Sequence, residues 1–281
     1  APFSRFMENN SFLTRLDLEN SGAFDVRGSL EGAEMLLRGL HSLPHLEYLN
    51  LRRCFPQTED HEAVLEALFD LVVSSSTIKT FCFGFNNENT HLKSPTMVSP
   101  PLLAFVSALQ HHEHLTSLEL TGCSMGKEYG PSLEGLLSRN AVLESLSLRD
   151  NSLELHAMNS VGRGVCNNGG ALTALDLFGQ RCGPEAVSSF MQQVTYAKNL
   201  LSLNIGMSNP EDMGDQATAS MLRQNTVLTS LDFAHNKRAH HVVGALVNAK
   251  APLTYLNLRG NHLDASLDRL VDMVNFNATI T

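Results

Sequence analysis

The chain has 281 residues, long for one ordinary core and normal for a repeat array. Its formal net charge of -9 argues against a general nucleic-acid binder or a binder of anionic membranes, which need a basic surface. The same charge favours a basic or mixed-charge protein partner. Trp is absent and aromatic residues make up 6%, as expected of a core stacked from aliphatic layers.

Residues 1–12 place Asn10 three positions before Leu13, and the same pair returns as Asn140–Leu143, Asn225–Leu228 and Asn277–Ile280. On this reading the chain starts inside the helix of one unit and stops at the strand of another, as a segment of a longer array would. Full units begin at Leu13, Leu46, Ile78, Leu115, Leu143, Leu172, Leu200, Leu228 and Leu253, and a partial one opens at Ile280. The first three spacings are long, which predicts irregular geometry in the N-terminal third; the later ones settle near 28. Between the strand starts the apolar period changes from two to 3.6. Helices are predicted over Leu30–Leu40, Glu62–Val73, Leu102–Leu109, Leu133–Ser138, Glu185–Val194, Ala217–Arg223, Val242–Val247 and Leu267–Val274. Gly162-Arg163-Gly164 also falls in a helix. Pro100-Pro101 and Pro184 suit helix first turns.

The clearest copy of the unit is Leu143-Glu-Ser-Leu146-Ser-Leu148-Arg-Asp-Asn151, which reads L-x-x-L-x-L-x-x-N. Alternate leucines put one apolar face on a short strand, and the Asn turns the chain inward, where its amide satisfies buried backbone groups. Cys54 and Cys123 take the Asn position, Gln180, Ser208 and Ser21 replace it elsewhere, and Phe81 and Phe83 stand for leucines. With a helix in a 28-residue period, the frame resembles the ribonuclease-inhibitor-type leucine-rich repeat. That class includes ribonuclease inhibitors, NOD-like receptors and Ran GTPase-activating proteins. The resemblance covers almost the whole chain and implies one α/β solenoid over 1–281, with parallel strands on the concave face and helices on the convex face.

Five cysteines without a C-x-x-C pair, two of them at the buried Asn position, point to reduced structural thiols and a cytoplasmic protein. A solenoid of this kind uses its concave face for recognition. There the frame aims Arg15, Asp17, Tyr48, Asn50, Arg52, Glu119, Arg149, Asp176, Phe178, Asp232, Tyr255, Asn257 and Arg259 outward. Tyr, Arg and exposed Phe are common interface anchors, although solvated strand positions look the same in sequence. A second candidate is the polar, Pro- and Ser-rich insertion Asn87–Pro101, with His91, Lys93 and Met97 as contact residues; a tolerated surface insertion is the plainer reading.

His111-His112-Glu113-His114 and His240-His241 look like metal donors. No H-E-x-x-H motif or facing Cys pair supports them, and solvated turn histidines are the favoured reading, with no metal and no cofactor expected. The glycine pairs do not follow strands, so no phosphate cradle is expected. The leading expectation is a non-enzymatic protein-binding module within a larger receptor, scaffold or pathogen effector. The alternative implied by the resemblance is a GTPase-activating protein of the Ran-regulator type, with Arg15, Arg52 and Asn50 as contributors. Self-association is a third reading.

Overall fold

The computed structural model describes residues 10–21, 30–55, 62–85 and 98–263. Each strand of its main sheet begins two residues after a frame-opening Leu or Ile: β1 (Arg15–Asp17), β2 (Tyr48–Phe55), β3 (Thr80–Phe85), β4 (Ser117–Thr121), β5 (Ser145–Ser147), β6 (Ala174–Asp176), β7 (Ser202–Asn204), β8 (Ser230–Asp232) and β10 (Tyr255–Asn257). They form one nine-stranded parallel sheet in chain order. The register runs straight across it: Leu146 faces Leu118 on one side and Leu175 on the other. A smaller parallel ladder pairs β9 (Lys237–Arg238) with β11 (Asn261–His262), an addition that the leucine frame does not announce.

Helices alternate with the strands: α1 (Leu30–His41), α2 (Glu62–Ser74), α3 (Pro100–Ala108), α4 (Gly130–Arg139), α5 (Leu155–Cys166), α6 (Pro184–Val194), α7 (Glu211–Gln224) and α8 (His240–Leu246). Seven expected helices are present at shifted bounds; Leu267–Val274 lies outside the described residues. The largest shift is in α7, which begins at Glu211 rather than Ala217. Its first turn carries Glu211 and Asp212, which a helix dipole favours but an apolar period does not reveal. There Gly214 lets the helix close on Pro210 and Val187: a Cβ on it would lie 2.5 Å from the Pro210 ring.

The middle strand residues Leu49, Phe81, Leu118, Leu146, Leu175, Leu203 and Leu231 are buried against helix residues such as Leu68, Val106, Leu136 and Val161. Each such aliphatic side chain contributes about 1.5–3 kcal/mol of hydrophobic stabilisation. Among the described residues, no helix is long and apolar enough to cross a membrane.

Among the described residues the turns after the strands carry a strained backbone position, and at Asn151, Gln180, Asn236 and Asn261 a side-chain amide follows it. The position before the frame's Asn has positive φ in eight units, at Asn20, Arg53, Gly122, Asp150, Gly179, Met207, His235 and Gly260. A non-glycine residue there costs about 1–2 kcal/mol, which the buried amide beyond it helps to offset. The Asn151 amide donates to the Leu120 and Leu148 carbonyls at 2.7 and 2.8 Å, and its oxygen accepts the Cys123 and Met125 N–H groups. Asn236 and Asn261 repeat this stitching between neighbouring coils. Gln180 reaches the Leu148 carbonyl at 2.5 Å and accepts from Leu153, so a longer amide does the same work.

Candidate functional site

Parallel register sorts the outward side chains of the sheet into rows. The first row runs Arg15, Tyr48, Thr80, Ser117, Ser145, Ala174, Ser202, Ser230, Tyr255. The second runs Asp17, Asn50, Cys82, Glu119, Ser147, Asp176, Asn204, Asp232, Asn257. Arg52 lies within β2, and Arg149, Phe178 and Arg259 follow their strand ends.

The second row is not simply outward-facing chemistry. Its Asp and Asn residues each turn one oxygen back onto the backbone two residues on. Asp17 accepts from the Glu19 N–H, Asn50 from Arg52, Asp176 from Phe178, Asn204 from Gly206, Asp232 from Ala234 and Asn257 from Arg259, at 2.9–3.2 Å. These bonds finish the strands, so such residues serve the turn as well as the surface.

At the N-terminal end, Arg52 is clamped between two carboxylates, Glu19 and Glu119, at 2.6 Å each. Burial works to lower its pKa, but the hydrogen bonds and charges of Glu119 and Glu19 outweigh that and raise it. The Arg15 guanidinium lies 3.5 Å from the Tyr48 ring centre. Asn50 corrects the expectation of a solvent-facing contact. It is 1% exposed, and its amide donates to Asp17 and Glu19. Beside it, burial and the Glu119 charge push the Cys82 thiol up to about 12, leaving it protonated and unreactive.

Towards the C-terminal end, Arg149 pairs with Asp176 at 2.9 Å and lies 4.5 Å from the centre of the Phe178 ring. Gly206 sits beneath that ring: a Cβ on it would come within 2.8 Å of Phe178. Phe178 is therefore half-buried, braced by a cation and a glycine, rather than standing free. Asp232 accepts from the Asn257 amide at 2.8 Å. Tyr255 is 50% exposed, and Arg259 is exposed with no ion pair among the described residues. Between the two ends runs an open trough of about 610 Å³, whose lining includes Arg52, Glu119, Arg149, Asp176, Asp232 and Tyr255. The Ser147 hydroxyl lies in it, buried and without a hydrogen-bond partner among the described residues.

The histidine groups divide. His112 is buried, and its Nδ1 accepts the Leu115 N–H at 3.0 Å, the bond that Asn140 gives Leu143 and Asn225 gives Leu228. It is a framework residue in an asparagine position, and its ring stands edge-on to that of His114 at 5.9 Å. His240 and His241 instead converge, with ring centres 4.0 Å apart. The wholly buried Asp215 of α7 meets them. Its carboxylate accepts the backbone N–H groups of His241 and Val242 and lies 3.4 Å from His240 Nδ1. Sequence reasoning missed Asp215, which is 25 residues away in the preceding helix. The insertion residues His91, Lys93 and Met97 lie outside the described residues.

A family model described as Leucine Rich repeat matches residues 111–128. The chain is 25% identical to the human NACHT, LRR and PYD domains-containing protein 13, over 92% of its own length and 23% of that protein's. Among solved structures, the leucine-rich repeat-containing protein LegL7 of Legionella pneumophila covers 94% of this chain and 91% of its own. Its TM-score is 0.53 at 18% identity. An internalin of Listeria monocytogenes aligns at a TM-score of 0.45 and 17% identity, over 90% of this chain and 76% of its own.

Sheet, helices and stitched turns define a solenoid of the leucine-rich repeat type. The chain spans about a quarter of the human relative.

Proposed function

We propose that the chain is a non-enzymatic recognition module that binds a protein of basic or mixed charge along its concave face, in the cytoplasm, as one solenoid within a receptor, scaffold or effector. The trough that joins Arg52 to Tyr255 carries this reading. It offers braced rather than mobile side chains, which lowers the ordering cost of binding. Arg149 and Phe178 form one fixed anchor, and Tyr255 with Arg259 forms an uncommitted one. Five cysteines outside any disulfide agree with a reducing compartment.

The GTPase-activating alternative has no specific observation in its favour. Arg52 is held by two carboxylates, Arg15 lies over Tyr48 and Asn50 is buried. Acceleration of phosphoryl transfer needs a cation aimed at the phosphates.

The test is affinity capture with the native chain beside a variant carrying Arg149→Ala, Phe178→Ala, Tyr255→Ala and Arg259→Ala, and beside a deletion of residues 87–101. A partner held by the native chain and lost only by the fourfold variant, with its circular dichroism unchanged, supports the concave face. Loss only in the deletion moves the site to the insertion. A partner retained by both removes the reading.

A further inference from the structure

We infer that Asp215, His240 and His241 form a site for a borderline divalent cation of the zinc class, independent of the concave face. The three donor groups offer ligand atoms that all lie within 4.8 Å of one another. The His240 Nδ1 to Asp215 Oδ2 separation is 3.4 Å, and tetrahedral zinc with bonds near 2.0–2.2 Å holds neighbouring ligands about that far apart. Adjacent histidines usually point apart, and the close approach of these two rings is what sets the pair off from His112 and His114. Asp215 is anchored from behind. The N–H groups of His241 and Val242 fix its carboxylate but leave a lone pair of Oδ2 towards the imidazoles.

A metal here faces one opposing effect, since a helix N-terminus disfavours positive charge. The Asp215 carboxylate sits directly on that end of α8 and offsets it. The nearby Asp212 adds negative field, although Arg238 holds it at 3.0 Å and it is not counted as a ligand. Two imidazoles and one carboxylate suit zinc, and water completes the shell on the open side, where the His240 side chain is 34% exposed. Because Asp215 belongs to α7 and the histidines to α8, the ion would tie two successive units together.

The experiment titrates chelator-treated protein with Zn²⁺ by calorimetry at pH 7.5, with Mg²⁺ as the hard-cation control. The expected result is saturable binding of Zn²⁺ alone and a rise in Tm with the metal. The double variant His240→Ala/His241→Ala should weaken binding by about tenfold or more and abolish the Tm rise. Asp215→Asn keeps an oxygen for the helix end and should weaken binding likewise, which covers a double variant that fails to fold. Absence of saturable Zn²⁺ binding overturns the proposal, as does binding that the folded variants keep in full.

Discussion

The N-terminal third and the units after β4 solve one problem with different materials. From β5 onward the strands of the main sheet are three residues long, leucine or isoleucine fills the layer except at Phe233, and an amide stitches most turns. Around β2 and β3 the strands run to eight and six residues, and their register shifts between Arg52 and Phe55. There Phe55, Phe69, Phe81, Phe83 and Phe105 pack in one cluster, with Phe69 stacked on Phe105 at 4.5 Å and Phe83 edge-on to Phe69 at 5.2 Å. A thiol stands at the amide's place: Cys54, a weak donor, meets the Leu18 carbonyl at 2.8 Å and the Arg52 carbonyl at 3.5 Å, where Asn151 makes five hydrogen bonds. The repeat frame thus fixes where a layer goes, while the material of the layer is negotiable. Large rings fill the wider coils, and their mutual contacts replace hydrogen bonds that the amide supplies elsewhere.

This contrast breaks most readily at its aromatic end. Phe83→Ala removes a wholly buried ring that meets three others, and it should cost about 3–5 kcal/mol in urea unfolding. A cost below that of an ordinary leucine truncation would show that the cluster is loosely filled space rather than a nucleus. At the stitched end, Asn151→Ala takes away the bonds to the Leu120 carbonyl and to the Cys123 and Met125 N–H groups, while the Leu148 carbonyl keeps its bond from Gln180, and it should cost about 1–3 kcal/mol, read by the same method. Cys54→Ala should cost less; equal losses would erase the distinction between the two kinds of turn.

The smallest effect sharpens the boundary between the regions, where His112 stands in for asparagine. Burial first, and then the His114 charge, hold its pKa below 6.5 in the folded chain. The unfolded chain therefore takes up a proton first as pH falls. The stability that rests on the neutral ring is complete above about pH 6.5 and declines below it, towards the folded value. His112→Asn should flatten that decline between pH 7.5 and 5.5, measured as the shift in urea midpoint relative to the native chain. An unchanged slope would mean that other histidines carry it.

The strand starts were legible because three spaced leucines and a turn amide recur at nearly constant intervals, a pattern that burial enforces on every copy. Gln180 and Ser208 were recognisable as departures, but only coordinates show that the Gln180 side chain spans the gap while the Ser208 N–H borrows the oxygen of Asn236. The concave residues were nameable for the same reason as the strands, since a period of two decides which side chains leave the core. Their states were not. Whether Arg15 covers Tyr48, or Glu19 and Glu119 both seize Arg52, depends on rotamers meeting across one or two neighbouring strands, contacts without any local signature. Asn50 vanished beneath those neighbours for that reason. His240 and His241 were visible as a pair, and only the stacking of α7 on α8 supplied the carboxylate between them.

The row of Asp and Asn residues on the sheet has a further consequence. At Asp17, Asp176, Asn204, Asp232 and Asn257, one side-chain oxygen secures the backbone, and carboxylate and amide do this equally well; the buried Asn50, whose amide donates to Asp17 and Glu19, is the exception. Exchange of one isosteric head group for the other rewrites a full unit of charge on the surface without altering the bond that the fold requires. The surface is thus a keyboard of binary settings mounted on an indifferent frame. A lineage can retune the sign of its field one atom at a time, and the solenoid beneath keeps the same shape.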